Sequence, residues 1–524
     1  MSKRSIFLSI LLALSTALMA VPASPRLLSD LLAQGDTARY EQMLQHSRIA
    51  NSRMPRHTLR EQALERESAM QNGPHKTFGV TPLLASRGLL ILVNYSDKSF
   101  QATNTQADMD SMMNAYSYTY NGATGSAAQY YSDQSNGTYR PHFDVVGPIT
   151  LPQTMAYYGS NNYNGEDKRL GDLVLHACSI ASQIEGVDFK DYDQDVNGEL
   201  DFVYIIYAGK GEADGGGQNT IWPASWDMQS AIESGLSSLS KNASKSEYTF
   251  DGVSIGNFAY SSEQDGVTGK RNGIGTPTHE FGHVLGFPDL YDTSYGSNSR
   301  NGATPGEWDI MDNGSYNNSG KTPPNLSPWE KAFMGWITPV NPGNEPADLT
   351  LYANGTNDYQ VYQINSSGEY QDYKTSGTCY LIENRQKTGW DKYLPGHGML
   401  IWKLNYSRNL WISNEPNNKS GSCRYTVVSA SGKTEGIGSA ADPFPGTGRK
   451  TSWSDISGRE LTEIAESNGI ITCQYMGGKT NDEPNALAED PRVDSHATIK
   501  TIRNGQVVII HGETIYNLLG QKIE

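Results

Sequence analysis

Apolar and polar residues divide this chain into segments of different texture. An apolar run, "SIFLSILLALSTALMA", follows Lys3 and Arg4 and precedes the small residues of "VPAS". It is too short and too early for a stable membrane anchor, and it predicts a secretory leader over 1–23 cut after Ala23 or Ala20, with an uncleaved anchor as the other reading. Over 24–85, Leu, Arg, Glu and Gln recur at helical spacing with a break at Pro55, which predicts helices forming either a propeptide or an ordinary N-terminal subdomain. The texture then changes abruptly. "GLLILVNYSDKSF" opens on a continuous apolar run, expected as a buried strand and the first of a central sheet.

Strands and helices alternate over 86–345. "ADMDSMMNAYSYTY" and "RLGDLVLHACSIASQI" carry helical periodicity, and "LDFVYIIYAG" is a second buried strand. Beyond "ITPVNPG" the segments "YQVYQI", "TCYLIENRQ", "GMLIWKLNY" and "RYTVVSA" are short strands between Gly, Asn and Ser clusters. They predict a β-rich, sandwich-like domain over 346–475. A polar linker (476–497) and a short β tail (498–524) complete an α+β organisation.

Composition narrows the function. A chain of 524 residues exceeds one ordinary core. A formal charge of -16 without a basic tract argues against nucleic acid as a partner. No segment after the leader is apolar enough to cross a bilayer. The four cysteines suit an oxidising compartment without forming a disulfide scaffold; of the three pairings, Cys379 with Cys423 is the mildest expectation, since both fall among the β-rich strands.

The chemistry is concentrated in "THEFGHVLGFPDLYD". Residues four apart share a helix face, so His279 and His283 can present imidazole nitrogens to one Zn²⁺. Glu280 then projects beside the metal, placed to take a proton from a water activated there. Gly286 can end the helix and turn the chain back, and Pro288 discourages continuation. Three residues after Gly286 stands Asp289, whose carboxylate can complete the zinc set. A glutamate from a later helix, Glu307 or Glu330, is the alternative third ligand, in which case Asp289 is a turn residue. "EWDIMDNGSY" places Met311 in a turn able to underlie the metal, and Tyr316 is either a donor to the oxyanion or a buried structural tyrosine.

A second cation site is expected in "DFKDYDQDVNGELD". Asp193, Asp195, Asn197 and Asp201 alternate about Gly198, as in the first part of a calcium loop. The twelfth place holds Tyr204 where a glutamate is needed, so Asp201 at the ninth place, Asp188 or Asp191 would have to make up the shortfall, and the other reading is a solvated acidic turn.

With these residues in view, the chain resembles the M6 family of secreted metallopeptidases, the immune inhibitor A group. The likeness includes "HEFGHVLGFPDLYD", "YDQDVNGELDFVYIIYAG", "IWPASW", "GEWDIMDNGS", "YLIENRQKTGWDKYLPGHGMLIW" and "DPFPGT", spanning about 85 to 455. It implies a metzincin-like zincin made as a zymogen, often with calcium, in which His279, His283 and Asp289 carry zinc and Glu280 is the base. The family often has histidine where Ala224 and Lys403 stand here. The ending "NGQVVIIHGETIYNLLGQKIE" is similar to the short sorting tails of proteins exported by the type IX system. The function so implied is a secreted zinc endopeptidase acting on proteins or peptides, against a calcium-stabilised surface adhesin that keeps the fold without the chemistry. Latency is expected without a cysteine switch, since no cysteine lies between Ala23 and Cys178, and its relief by cleavage near Arg66 or Arg87.

Overall fold

The computed structural model describes residues 19–50 and 86–479, apart from 164, 195, 295–303, 373, 419–422 and 434–437, and three strands within 498–516. The chain to 478 makes one compact unit and 479–524 a second.

A six-stranded sheet organises the first unit: β1 (Met19–Ala20), β2 (Arg87–Asn94), β3 (His142–Thr150), β4 (Val203–Lys210), β5 (Ala224–Asp227) and β6 (Asn257–Gln264), in the order β1-β5-β6-β4-β2-β3. β3, β2, β4 and β6 run parallel, β5 pairs antiparallel with β6, and β1 pairs antiparallel with the outer edge of β5. The two expected buried strands are β2 and β4. Their apolar runs are continuous because both faces are covered. Leu90, Leu92, Tyr204 and Ile206 enter a core with Phe281 and Leu285 of the helix Gly275–Leu285, while Leu89, Ile91, Val93, Val203 and Ile205 enter another with Leu173, Val174 and Ala177 of the helix Leu170–Ala181.

Ahead of β2, residues 25–50 form the helices Pro25–Ala33 and Thr37–Ala50. The second docks through His46, whose Nδ1 lies 2.8 Å from the buried Glu212 Oε1; Asn161 donates to the same oxygen at 3.0 Å. Arg66 lies outside the described residues. Arg87 opens β2 and is bridged to Asp144 and Asp191, so a cut there would remove the first paired residue of a central strand.

The β-rich region contains β7 (Ala347–Leu351), β8 (Tyr362–Asn365), β9 (Thr378–Arg385), β10 (Gly398–Asn405), β11 (Tyr425–Val427), β12 (Leu461–Ser467) and β13 (Ile470–Tyr475). One sheet has the order β8-β9-β10-β11 and the other β12-β13-β7. Alternation along β9 and β10 serves two cores. Ile382 and Ile401 face residues of the three-stranded sheet, whereas Leu381, Leu400 and Trp402 join the core that holds Phe281 and Trp329. The catalytic-type and β-rich portions therefore share one hydrophobic interior.

The cysteine pairing is corrected by this arrangement. All four thiols are free: Cys379 pairs across β9 and β10 with Leu404 and is buried, while Cys423 lies near Asn417 O. Burial pushes the Cys379, Cys423 and Cys473 thiols up to about 12, which makes them poor nucleophiles. The second unit contains three antiparallel strands, Thr498–Arg503, Gln506–His511 and Thr514–Tyr516, as the alternation there predicts.

A buried ionic knot ties the two portions together. Arg385 at the end of β9 has no exposed side-chain surface and donates to both oxygens of Asp391 (2.6 and 2.5 Å), to Glu383 (3.2 Å) and to Asn325 O (3.1 Å). Removing one member of such a set strands the others in a dry interior. Arg385→Ala is expected to lower unfolding stability by about 3–5 kcal/mol, measured by denaturant titration.

Candidate metal centre

The helix Gly275–Leu285 lies across the sheet, and every one of its residues is buried. Gly286 stops it at φ +104°, with backbone bonds from Gly286 N to His283 O and from Phe287 N to Gly282 O. Only a residue without Cβ takes that backbone cheaply. The turn brings Asp289 back beside the two histidines. Gly282 allows the following segment to pass underneath: a Cβ there would meet Met311 Sδ at 2.8 Å.

His279 Nδ1 is 2.7 Å from Ile310 O, and His283 Nδ1 is 2.8 Å from Phe287 O. A carbonyl only accepts, so both Nδ1 atoms carry the proton and both Nε2 atoms present lone pairs. Asp289 Oδ1 lies 3.2 Å from His279 Nε2 and 3.3 Å from His283 Nε2. Three acceptors thus face one another in a buried space, an arrangement that is repulsive without a cation between them. An ion held tetrahedrally at about 2.0–2.1 Å from each donor needs donors about 3.3–3.4 Å apart. The fit is close.

The sequence alternatives for the third ligand fall away here. Among the described residues, His279, His283 and Asp289 are the group of ligand-type side chains that converges. Glu330 accepts from Ser327 N at 2.7 Å and Ser327 Oγ at 2.9 Å, capping the helix Pro328–Phe333. Glu307 sits in a short turn, Gly306–Trp308. Met311 is buried beneath the helix and its carbonyl accepts from Leu290 N at 2.8 Å, so the Met311 turn braces both the histidines and the Asp289 strand.

Glu280 adjoins this cluster without joining it. Burial raises its carboxyl well above the ordinary carboxylate value and the charge of Asp289 adds to the effect, while the Val21 amide opposes both. That amide belongs to the N-terminal strand. Residues 19–20 pair with the outer edge of β5, Ala20 opposite Ala224, and Ala20, Val21 and Ala23 are buried. Tyr291 donates to Ala20 O, Trp222 Nε1 to Val21 O at 3.0 Å, and Tyr316 to Pro22 O at 2.7 Å. Ser24 N reaches Ala213 O at 3.1 Å. An extended chain therefore lies over Glu280 with successive carbonyls gripped by side chains. The leader expected to end at Ala23 is, from residue 19 onward, built into the folded unit.

Of the residues expected to hold calcium, Asp195 lies outside the described residues, while Asp193, Asn197 and Asp201 accept hydrogen bonds within their own loop. Asp193 accepts from Asn197 N and Gly198 N (2.9 Å each), Asn197 from Glu199 N (2.7 Å), and Asp201 from Gln194 N (2.9 Å). These oxygens close the turn on itself.

Sequence reasoning gave no role to Trp222, Tyr291 or Asn414. The first two were visible only as members of the motifs "IWPASW" and "FPDLYD". Asn414, in "SNEPNN", looked like loop composition, yet it contacts Asp289 at both main chain and side chain. No local signal distinguishes it, since the partner is 125 residues away.

Comparison with known proteins agrees with this site. Residues 91–337 match the model for the catalytic domain of immune inhibitor A, peptidase M6. Immune inhibitor A of Bacillus thuringiensis subsp. alesti is 32% identical over 229 residues, covering 39% of this chain and 31% of the relative. Pre-pro-metalloprotease PrtV of Vibrio cholerae serotype O1 is 25% identical over 305 residues, covering 50% of this chain and 32% of the relative. The chain thus spans about a third of the length of each of these relatives. The likeness to the M6 peptidase catalytic domain is thus carried by residues 91–337, which contain the two-histidine helix and its returning aspartate.

Proposed function

We propose that this protein is a secreted zinc endopeptidase, produced as a latent precursor, that hydrolyses peptide bonds in extracellular proteins. The observation that carries the reading is the buried His279–His283–Asp289 set with Glu280 beside it and outside it. His279, His283 and Asp289 would hold the ion, whose chemistry is to polarise a peptide carbonyl and acidify water. Glu280 takes the proton of the attacking water and passes it to the leaving amine; its raised proton affinity suits that duty. Tyr316 already donates to a backbone carbonyl over the site, which supports a role for it towards the developing oxyanion. The edge of β5, with Trp222 and Tyr291, supplies main-chain recognition of an extended polypeptide. An adhesin reading is not favoured, because a binding module gains nothing from a buried carboxylate placed beside a metal set.

Latency is assigned to the N-terminal segment. The segment that follows Met19–Ala20 passes beside Glu280 with the carbonyls of Val21 and Pro22 accepting from Trp222 and Tyr316, which supports it as the block, and the helices after it dock through His46 and Glu212. The absence of cysteine between Ala23 and Cys178 supports blockade by a strand instead of by a thiolate. Export follows from the leader-type N-terminus, and the type IX-like ending is its proposed sorting signal.

Three outcomes test these assignments. Glu280→Gln should keep zinc and melting temperature while casein hydrolysis falls by about 10²- to 10⁴-fold; near-parental hydrolysis removes Glu280 from the mechanism. Asp289→Ala should lose stoichiometric zinc, read by metal analysis, whereas Glu307→Ala keeps it. A chain beginning at Ser86 should cleave casein faster per folded molecule than one beginning at Val21, and added peptide covering residues 20–24 should slow it. Equal rates in the two chains would remove the N-terminal segment from latency.

A further inference from the structure

We propose that Asn414, contributed by the β-rich portion, is a positioning residue for the metal set: it fixes the Asp289 carboxylate so that one oxygen alone faces the histidines. The inference rests on the reading of Asp289 as the third ligand. Asn414 Nδ2 donates to Asp289 Oδ2 at 2.6 Å, and Asn414 Oδ1 accepts the Asp289 N–H at 2.7 Å. The two bonds close a ring, and they settle the orientation of the amide, because only its oxygen can accept from a main-chain N–H. Both residues are buried, at 0% and 1% exposure.

The geometry has a direct consequence for ligation. A carboxylate turns readily about its last bond, so an unrestrained aspartate can offer either oxygen or both to an ion. Here Oδ2 is engaged by a donor to a charged acceptor, the stronger kind of hydrogen bond, and Oδ1 is left at 3.2 and 3.3 Å from the two imidazole nitrogens. The backbone of Asn414 is itself specialised. It follows the helix Arg408–Ile412 in the left-handed region, φ +57°, which asparagine tolerates better than most residues. The same turn grips the strand again one residue on, where Asn417 Nδ2 donates to Leu290 O at 2.7 Å. It grips it once more at Thr293, whose Oγ1 is 2.9 Å from Asn418 Oδ1. Asn414 lies outside the segment 91–337 that matches the peptidase family. The Asp289 carboxylate is therefore held from beyond that segment.

Asn414→Gly keeps the left-handed backbone without strain and deletes the amide, so it isolates the clamp. In the full chain it should bind zinc about 10- to 100-fold more weakly in competition with a chelator, the usual effect of losing an outer partner of a metal ligand. The visible absorption bands of the cobalt-substituted protein should shift as the carboxylate changes its mode. Asn417→Ala, in the same turn but without contact to Asp289, should keep the parental cobalt spectrum. Parental zinc affinity and spectrum in Asn414→Gly would overturn the proposal, as would equal changes in Asn414→Gly and Asn417→Ala. Should Asn414→Gly fail to fold, Asn414→Asp keeps the size while replacing the donor by a repelling oxygen; tight zinc binding there would also overturn it. Asp289→Ala run alongside separates the two readings. Parental zinc in that variant removes Asp289 as ligand, whereas its loss there with parental binding in Asn414→Gly removes only the clamp.

Discussion

Three lone-pair donors pointing at one another in a dry interior are the constraint around which this molecule is organised. His279 Nε2, His283 Nε2 and Asp289 Oδ1 are held 3.2–3.3 Å apart about the carboxylate oxygen, a cost that only a cation repays. Nearly everything near them works to keep that arrangement in place. The carbonyls of Ile310 and Phe287 take the far imidazole protons, Gly286 turns the chain, and Gly282 admits the Met311 turn beneath the helix. The shell around the donors is thus as specific as the donors themselves.

The sheet edge is the second organising feature. An antiparallel β5 beside otherwise parallel strands leaves a row of main-chain groups facing the catalytic-type cleft. An open edge is a template for another strand. Residues 19–20 occupy it, and the carbonyls of residues 20–22 are taken by Tyr291, Trp222 and Tyr316. Helices 25–33 and 37–50 add the remaining hold through His46 on Glu212.

The β-rich portion is more than an appendage. Strands β9 and β10 each contribute one face to the common interior, Arg385 links them to Asn325, and the turn 414–418 holds the segment 289–293. Rigidity at a metal site comes from such support, because side chains on a returning loop are otherwise free to reorient. The buried pair Asp309 and Glu330 belongs to the same interior. Burial raises both carboxyls, Asp309 to about 6, and the charge of Asp309 raises that of Glu330 further.

The sequence by itself determined the elements whose signals are local. The run after Gly88 and "LDFVYIIYAG" read as buried strands because apolar continuity records burial on both faces. His279, Glu280 and His283 were legible because four-residue spacing on a helix is a statement about one face, and Gly286 announced the turn that returns Asp289. Tertiary structure alone decided what distant segments do to one another. That Asp289 converges on the two histidines while Glu330 caps a helix was visible only in three dimensions, since both carboxylates are chemically acceptable ligands. The free state of Cys379 and Cys423 was likewise invisible to composition. So was the grip of Asn414 on Asp289, because a hydrogen bond across 125 residues leaves no periodicity in either partner.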